Sequence, residues 1–484
     1  MNRKTILCTL LLFAGLTVAP ALERISINDL IGPGDGNSQH ISVSADGNRI
    51  AFESFSSQLV AGDTNGERDI FVFDRSSGSI TRVSVGSMGV EANDASRAPV
   101  ISGNGRFVAF TSDATNLLAV PDSNGIRDLF IHDLDTGTTT IESVADGGAT
   151  VSDAGAIFYE CALSFDGNLI AFSHPSAFLD GPDSNGESDI FLRDRTANTT
   201  VMLSKNEAGT APAANGGNGP SISGDGRIIA FNSNSSDIVA MDGNGVTDVF
   251  IVDRQGGTTT RVGEVAAGGD PDGLSNGVVS RDGRFVYFES LARNLIPGDT
   301  GMDRNLFRQT VSTGAVTRLV GKAAEDNSGG GFFFAGASND ARWVYFASTV
   351  DDLVPDDTNG KRDFFRLDTK KNIMTRLSVS PEGNQTVQDV GDAIFGREVS
   401  ANGVITGFAS LDGNLAPPDL AGNVDVLIDE NVVPAVESAL RRSLNRKLKK
   451  LKKKRKKAKR KKRKSKAKRY KRKIRSLKRR IRLI

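Results

Sequence analysis

The chain carries two cysteines in 484 residues, Cys8 and Cys161. Cys8 lies inside the first apolar run, so removal of that run leaves Cys161 alone and no intramolecular disulfide can form. Histidine is nearly as scarce. His40, His132 and His174 fall in different parts of the chain and share no metal-binding spacing. Neither a HExxH motif, a Gly-x-Ser-x-Gly elbow nor a phosphate loop occurs. Acid–base chemistry would therefore rest on carboxylates, and their spacing selects no pair. Long apolar runs are missing after residue 18, so no segment of the mature chain is expected to cross a bilayer. Helical periodicity is missing before residue 434.

The one apolar run has a definite reading. Arg3 and Lys4 precede Ile6 to Val18, and Ala19-Pro20-Ala21 supplies small residues for a peptidase. Residues 1–21 are expected to be a secretory signal peptide, which makes the protein exported, to the periplasm or beyond the cell.

The rest is dominated by a repeat. Ser44-Ala45-Asp46-Gly47 leads to Ala51-Phe52, a turn between two short apolar strands. The serine returns at Ser102, Ser164, Ser223, Ser280, Ser338 and Ser400, in steps of 57 to 62 residues. The last two copies are the weakest. Each repeat reads as four strands, illustrated by Pro99-Val100-Ile101, Phe107 to Phe110, Asp69 to Asp74 and Ile80 to Val85. Seven such units predict an all-β, seven-bladed propeller of four-stranded antiparallel blades over residues 22–433. The seventh repeat lacks its last strand. Glu23-Arg24-Ile25-Ser26-Ile27 matches Thr81-Arg82-Val83-Ser84-Val85, so the N-terminal strand is expected to complete that blade and close the ring.

The Ser-x-Asp-Gly-x-x-x-Ala-Phe repeat, followed by Asp-Ile-Phe-Val-x-Asp and Thr-Arg-Val-Ser strands, resembles the WD-repeat-like propeller repeat of TolB-type bacterial proteins. The resemblance covers about residues 22 to 430 and implies the fold. Propellers act as binding platforms, scaffolds and enzymes, so it does not choose among them. TolB has a separate N-terminal domain and six blades, so a role in the Tol system is not carried over.

A second element recurs between the second and third strands. Asp63, Asn65 and Asp69 stand at i, i+2 and i+6, with Gly66 at i+3. The set returns as Asp122, Asn124, Asp128; as Asp183, Asn185, Asp189; as Asp242, Asn244, Asp248; and as Asp357, Asn359, Asp363. Repeats five and seven are degraded. Oxygens at this spacing around a glycine suit a hard cation, so a structural calcium ion is one expectation. The other is an Asn-Gly turn whose Asp side chains bond nearby amides, because only the middle of an EF-hand loop is matched.

Composition breaks at Pro434. Residues 441–484 hold 29 Lys and Arg and no Asp or Glu, against 60 basic and 58 acidic residues in the whole chain. The propeller is therefore strongly acidic and the tail, residues 434–484, strongly basic. Leu440, Leu444, Leu448 and Leu451 keep helical spacing, as do Tyr470, Ile474, Leu477, Ile481 and Ile484. Charge repulsion between them predicts disorder or a frayed helix that firms up on a polyanion. Envelope lipid, glycopolymer and nucleic acid are the partners expected for the tail, and a protein or glycan for a propeller face. A non-enzymatic binding module is the first functional reading. A polysaccharide lyase or hydrolase using the channel is the second.

Overall fold

The computed structural model describes residues 22–28, 32–120, 124–148, 161–175, 178–181, 183, 185–264, 270–273, 275–297, 304–321, 331–380, 382–390, 398–413, 415–416, 423–431, 433–460, 470–475 and 477–478. The expected signal peptide, residues 1–21, and Asp122 lie outside them. The chain divides into two units. Pro20–Asp429 is one, and Glu430–Ile484 with Met1–Ala19 the other.

The first unit is a seven-bladed propeller. Blade one pairs Ser38–Val43, Arg49–Ser54, Asp69–Asp74 and Ser79–Arg82 in that order, all antiparallel. Five more four-stranded sheets repeat the order through Ile373–Arg376. The seventh sheet pairs Ile405–Ser410 with Asp425–Glu430 and then with Glu23–Arg24. The N-terminal strand thus stands where blade seven has no fourth strand of its own. Ile25 donates its N–H to the Val426 carbonyl at 2.9 Å and is fully buried.

The repeated motif explains both the turn and the core. In blade one the Ser44 hydroxyl donates to Asp46 Oδ1 at 2.7 Å and accepts the Arg49 N–H at 3.0 Å. The same hydroxyl bond recurs at Ser102, Ser164, Ser223, Ser280, Ser338 and Ser400. Gly47 takes φ of 74°, and a Cβ there would come within 2.7 Å of Ile405 in blade seven. The Ala-Phe of the second strand then meets a phenylalanine of the third. Phe52 lies opposite Phe71 with ring centroids 5.8 Å apart, and five further blades repeat the pair, as Phe231 and Phe250 at 5.7 Å. These pairs and the aliphatic residues beside them fill the space between blades.

The sixth repeat has Ala341 where every other copy has glycine, and Ala341 adopts φ of 54°. A side chain with Cβ is strained there, so Ala341→Gly should stabilise the protein by about 1 kcal/mol in urea unfolding. An unchanged or lowered midpoint would mean that the turn relaxes without strain.

Hydrogen bonds between the turns link all seven blades. Ala45 N–H donates to Gly103 O, Asn104 N–H to Phe165 O, Phe165 N–H to Gly224 O and Gly224 N–H to Arg281 O. Asn339 N–H donates to Ala401 O and Ala401 N–H to Ala45 O. The remaining step, blade five to blade six, is made by the Arg284 guanidinium on Asn339 O. This belt closes the circle a second time, independently of the N-terminal strand.

Of the two expectations for the tail, disorder or a frayed helix, the described residues take the helix. Val433–Arg460 is one helix of 28 residues, with the Val433 N–H on Asn431 Oδ1 at 3.2 Å. Lys, Arg and Leu are good helix formers, and their propensity summed over this length opposes the charge repulsion. Among the described residues no helix is long and apolar enough to cross a membrane.

Candidate functional site

Three places can be built from the described residues: the channel, the mouth opposite the belt, and the Asp-Asn-Gly loops.

The channel narrows to a cavity of about 120 Å³ at the belt. Ser42, Val100, Ala162, Ser221 and Val279 of the inner strands line it, with Phe165, Arg281 and Asn339 from the turns. Arg281 reaches across, its guanidinium donating to Val43 O at 2.5 Å and Val399 O at 3.5 Å. It therefore ties blade five to the junction of blades one and seven. The lining is apolar apart from hydroxyls, Asn339 and this carbonyl-bound arginine.

At the other end of the inner strands, His40, Glu53 and Arg68 converge. His40 Nδ1 lies 2.8 Å and Arg68 Nη1 2.6 Å from Glu53 Oε1, and the Ala98 N–H of blade two donates to Glu53 Oε2 at 2.8 Å. Burial pushes the Glu53 carboxyl up, but His40, Arg68 and the Ala98 amide outweigh it and hold the group below the usual carboxylate range. Glu53 is fully buried. An ionised carboxylate with this many donors is a link between blades rather than a base open to substrate. His132 is likewise buried, its Nδ1 2.9 Å from the Thr139 hydroxyl, and Cys161 is buried on the inner strand of blade three.

The loops resolve into a recurring latch. Asn65 Oδ1 accepts the Glu67 N–H at 2.8 Å, while its amide nitrogen donates to Asp69 Oδ2 at 3.3 Å and to Ala92 O at 2.9 Å. Asn124, Asn185, Asn244 and Asn359 make the same two bonds, to the loop N–H and to Asp128, Asp189, Asp248 and Asp363. Each asparagine thus turns its N–H groups, not its oxygen, toward the aspartate. The other oxygen, Asp69 Oδ1, accepts from the Ser84 hydroxyl at 2.5 Å, and Ser84 Oγ accepts the Ile70 N–H at 3.0 Å. Ser143, Ser204 and Ser378 do the same, and Ser26 does so to Asp425 in blade seven.

An arginine completes the latch in three blades. Arg82 Nη1 stands 3.5 Å from Asp63, 3.4 Å from Asp69 and 2.5 Å from Glu91. The Asp63, Asp69 and Glu91 carboxylates come within 4.8 Å of one another around it. Arg261 meets Asp242, Asp248 and Asp270, and Arg376 meets Asp357 and Asp363. In these three donor sets the guanidinium meets the charge of the carboxylates. Strand register puts Ile141 in blade two and Met202 in blade three opposite the phenylalanines that Arg82, Arg261 and Arg376 face elsewhere. Blade three therefore has Asp183 and Asp189 together without an arginine. Burial and the Asp183 charge push Asp189 up to about 7. Burial also raises Asp63, Asp248 and Asp357 to about 6, with a neighbouring carboxylate adding to each.

A carboxyl raised above its unfolded value near 4 contributes stability below that pH and loses it as pH climbs through 6 to 7. Asp183→Asn supplies an N–H for Asp189 in place of a shared proton, while Asn185 N–H keeps the oxygen it now finds at 3.1 Å. The variant and the parent should melt alike near pH 5, and the variant should be more stable by about 1 kcal/mol near pH 8. Parallel melting profiles across that range would remove the Asp183 charge as a cause of the Asp189 shift.

The sequence pattern singles out the loop residues but not their partners, Arg82, Ser84, Glu91 and their equivalents. The signal is present as Arg-x-Ser in the fourth strand, 13 and 15 residues after the aspartate.

No known protein family and no curated protein matches the chain. Among solved structures it is similar to TolB from Acinetobacter baumannii, at 14% identity over 71% of this chain, with a TM-score of 0.37. The chain spans 64% of the length of that protein. It is similar to a putative TolB from Agrobacterium tumefaciens, at 19% identity over 75% of this chain and 97% of the other, with a TM-score of 0.38. A prolyl endopeptidase is matched at 10% identity over 77% of this chain and 54% of the other, with a TM-score of 0.41. Each is a likeness of fold.

Proposed function

We propose that the protein is an exported binding module, a propeller that takes a protein or glycan on one face and is held to anionic material outside the cytoplasm by its tail. The observation that carries this is the separation of charge. Residues 441–484 of the tail hold 29 of the chain's 60 basic residues and none of its 58 acidic ones. Envelope lipid, glycopolymer and nucleic acid are the polyanions such a tail can meet in that location. The apolar channel and the fully bonded Glu53 support a binding role over acid–base catalysis.

The test is capture. The mature propeller ending at Leu440, immobilised and exposed to envelope extract, should retain a defined protein or glycan at near-equal stoichiometry. Release of new reducing or unsaturated sugar ends from envelope glycan by the same protein would instead establish the lyase or hydrolase reading.

Calcium is proposed first for blade three, where Asp183 and Asp189 lack the arginine of blades one, four and six. In that reading calcium raises the melting temperature of the parent at pH 8 and leaves Asp183→Asn unmoved. A parent indifferent to both calcium and chelator leaves the pair with its proton.

A further inference from the structure

The apolar residues of the tail are packed against one another. Leu444, Leu448, Ile474 and Leu477 form one buried cluster, with Leu451 at its edge. The first three leucines of this set along the chain follow i, i+4, i+7 on helix Val433–Arg460, and Ile474 and Leu477 stand on the helical residues 470–475 and 477–478. In one straight helix Leu444 and Leu477 would be about 50 Å apart at about 1.5 Å per residue. The two segments therefore lie side by side and share one seam.

The seam changes what the tail can hold. An amphipathic helix enters a bilayer through an apolar face. Here that face packs on the other segment. What remains exposed is basic: Lys447, Lys449, Lys450, Lys452, Lys453, Lys454 and Lys456 point away from the seam. At about 100° per residue these positions cover the circumference except the seam. A flat surface meets one side of such a rod, whereas a long polymer can follow it.

The charge spacing selects among polymers. Residues 446–460 carry 12 Lys and Arg in 15 positions, about one cation per 1.9 Å of helix. Duplex nucleic acid carries one negative charge per about 1.7 Å of axis. Uronic-acid glycans carry at most one charge per sugar and are sparser. We propose that the tail is a folded two-helix polycation whose ligand is double-stranded nucleic acid outside the cell, not a bilayer. This rests on the reading of the tail as a polyanion anchor and names its ligand.

The experiment uses the mature full chain with three probes: a short duplex DNA, phosphatidylglycerol vesicles and polygalacturonate, across a salt series. Duplex should bind at least about tenfold tighter than either other probe at 150 mM salt. Its affinity should fall about 10³-fold or more between 50 and 200 mM, as release of many counterions requires. Ile474→Asp opens the seam, and Ile474→Ala trims it with the helix retained. Neither should lower vesicle binding more than duplex binding. Vesicle binding that survives 0.5 M salt and is lost selectively in Ile474→Asp would overturn the proposal, because the stripe would then face lipid. Tightest binding to vesicles or polygalacturonate would overturn it while leaving the wider anchor reading in place. Binding to none of the three would overturn both.

Discussion

A mature protein lacking residues 22–28 should lose most of its stability. Three things go at once. The fully buried Ile25 side chain leaves the core it shares with Ile41, Val43 and Val426, at a cost of about 2–5 kcal/mol. Arg24 Nε, 2.9 Å from Asp425, and the Ser26 hydroxyl, 2.7 Å from the same carboxylate, both disappear. That strands a buried charge, which costs about 3–5 kcal/mol. The outer edge of Asp425–Glu430 is also left unpaired and open to other chains. The sum is comparable to the whole stability of a folded domain, about 5–15 kcal/mol. The belt of turn bonds remains, so the inner strands should hold the ring while blade seven opens at its rim. Hydrogen exchange should find the Val426 amide among the first exposed, and the deleted protein should aggregate on heating. A deletion that melts with the parent would show that the belt alone closes the ring.

The second large effect belongs to the tail. Ending the chain at Leu440 removes 29 positive charges and leaves an acidic propeller. Its affinity for duplex DNA or anionic vesicles at 50 mM salt should fall by at least about 10³-fold, since nearly all of that binding is charge and counterion release. The truncated protein should melt as the parent does, because the propeller is a unit by itself. Retained affinity in the truncated form would place a polyanion site on the propeller.

The repeat alone makes the propeller legible in the amino-acid sequence. The Ser-x-Asp-Gly turn and the two phenylalanines are local, so each copy announces one hairpin and one interblade core. The match of Arg24 and Ser26 to Arg82 and Ser84 also locates the closing strand, because several blades use the same residues in the latch. The Asp-Asn-Gly loops are legible as elements and not as chemistry. Whether Asn65 offers oxygen or N–H to Asp69 depends on the Glu67 amide, and the charge on Asp63 is met by Arg82 on another strand. Such cross-strand contacts leave no spacing within the loop itself. The belt is not legible, since all its links but the one from Arg284 join backbone groups, and backbone groups have no sequence signature. In the tail, Leu444, Leu448, Leu451, Tyr470, Ile474 and Leu477 stand on helical residues as their spacing predicts, while Ile481 and Ile484 lie outside the described residues. The partner of the stripe is not legible, because a stripe of Ile474 and Leu477 fits a bilayer and a second helix equally well.

The most direct test of the account is fractionation of cells making either the full chain or the chain ending at Leu440. Both are exported in the account, and both keep the propeller. The full chain should sediment with the envelope at low salt and be released as salt is raised, while the shorter chain stays soluble at every salt concentration. A shorter chain that still sediments with the envelope would contradict the division of labour between a binding propeller and an anchoring tail.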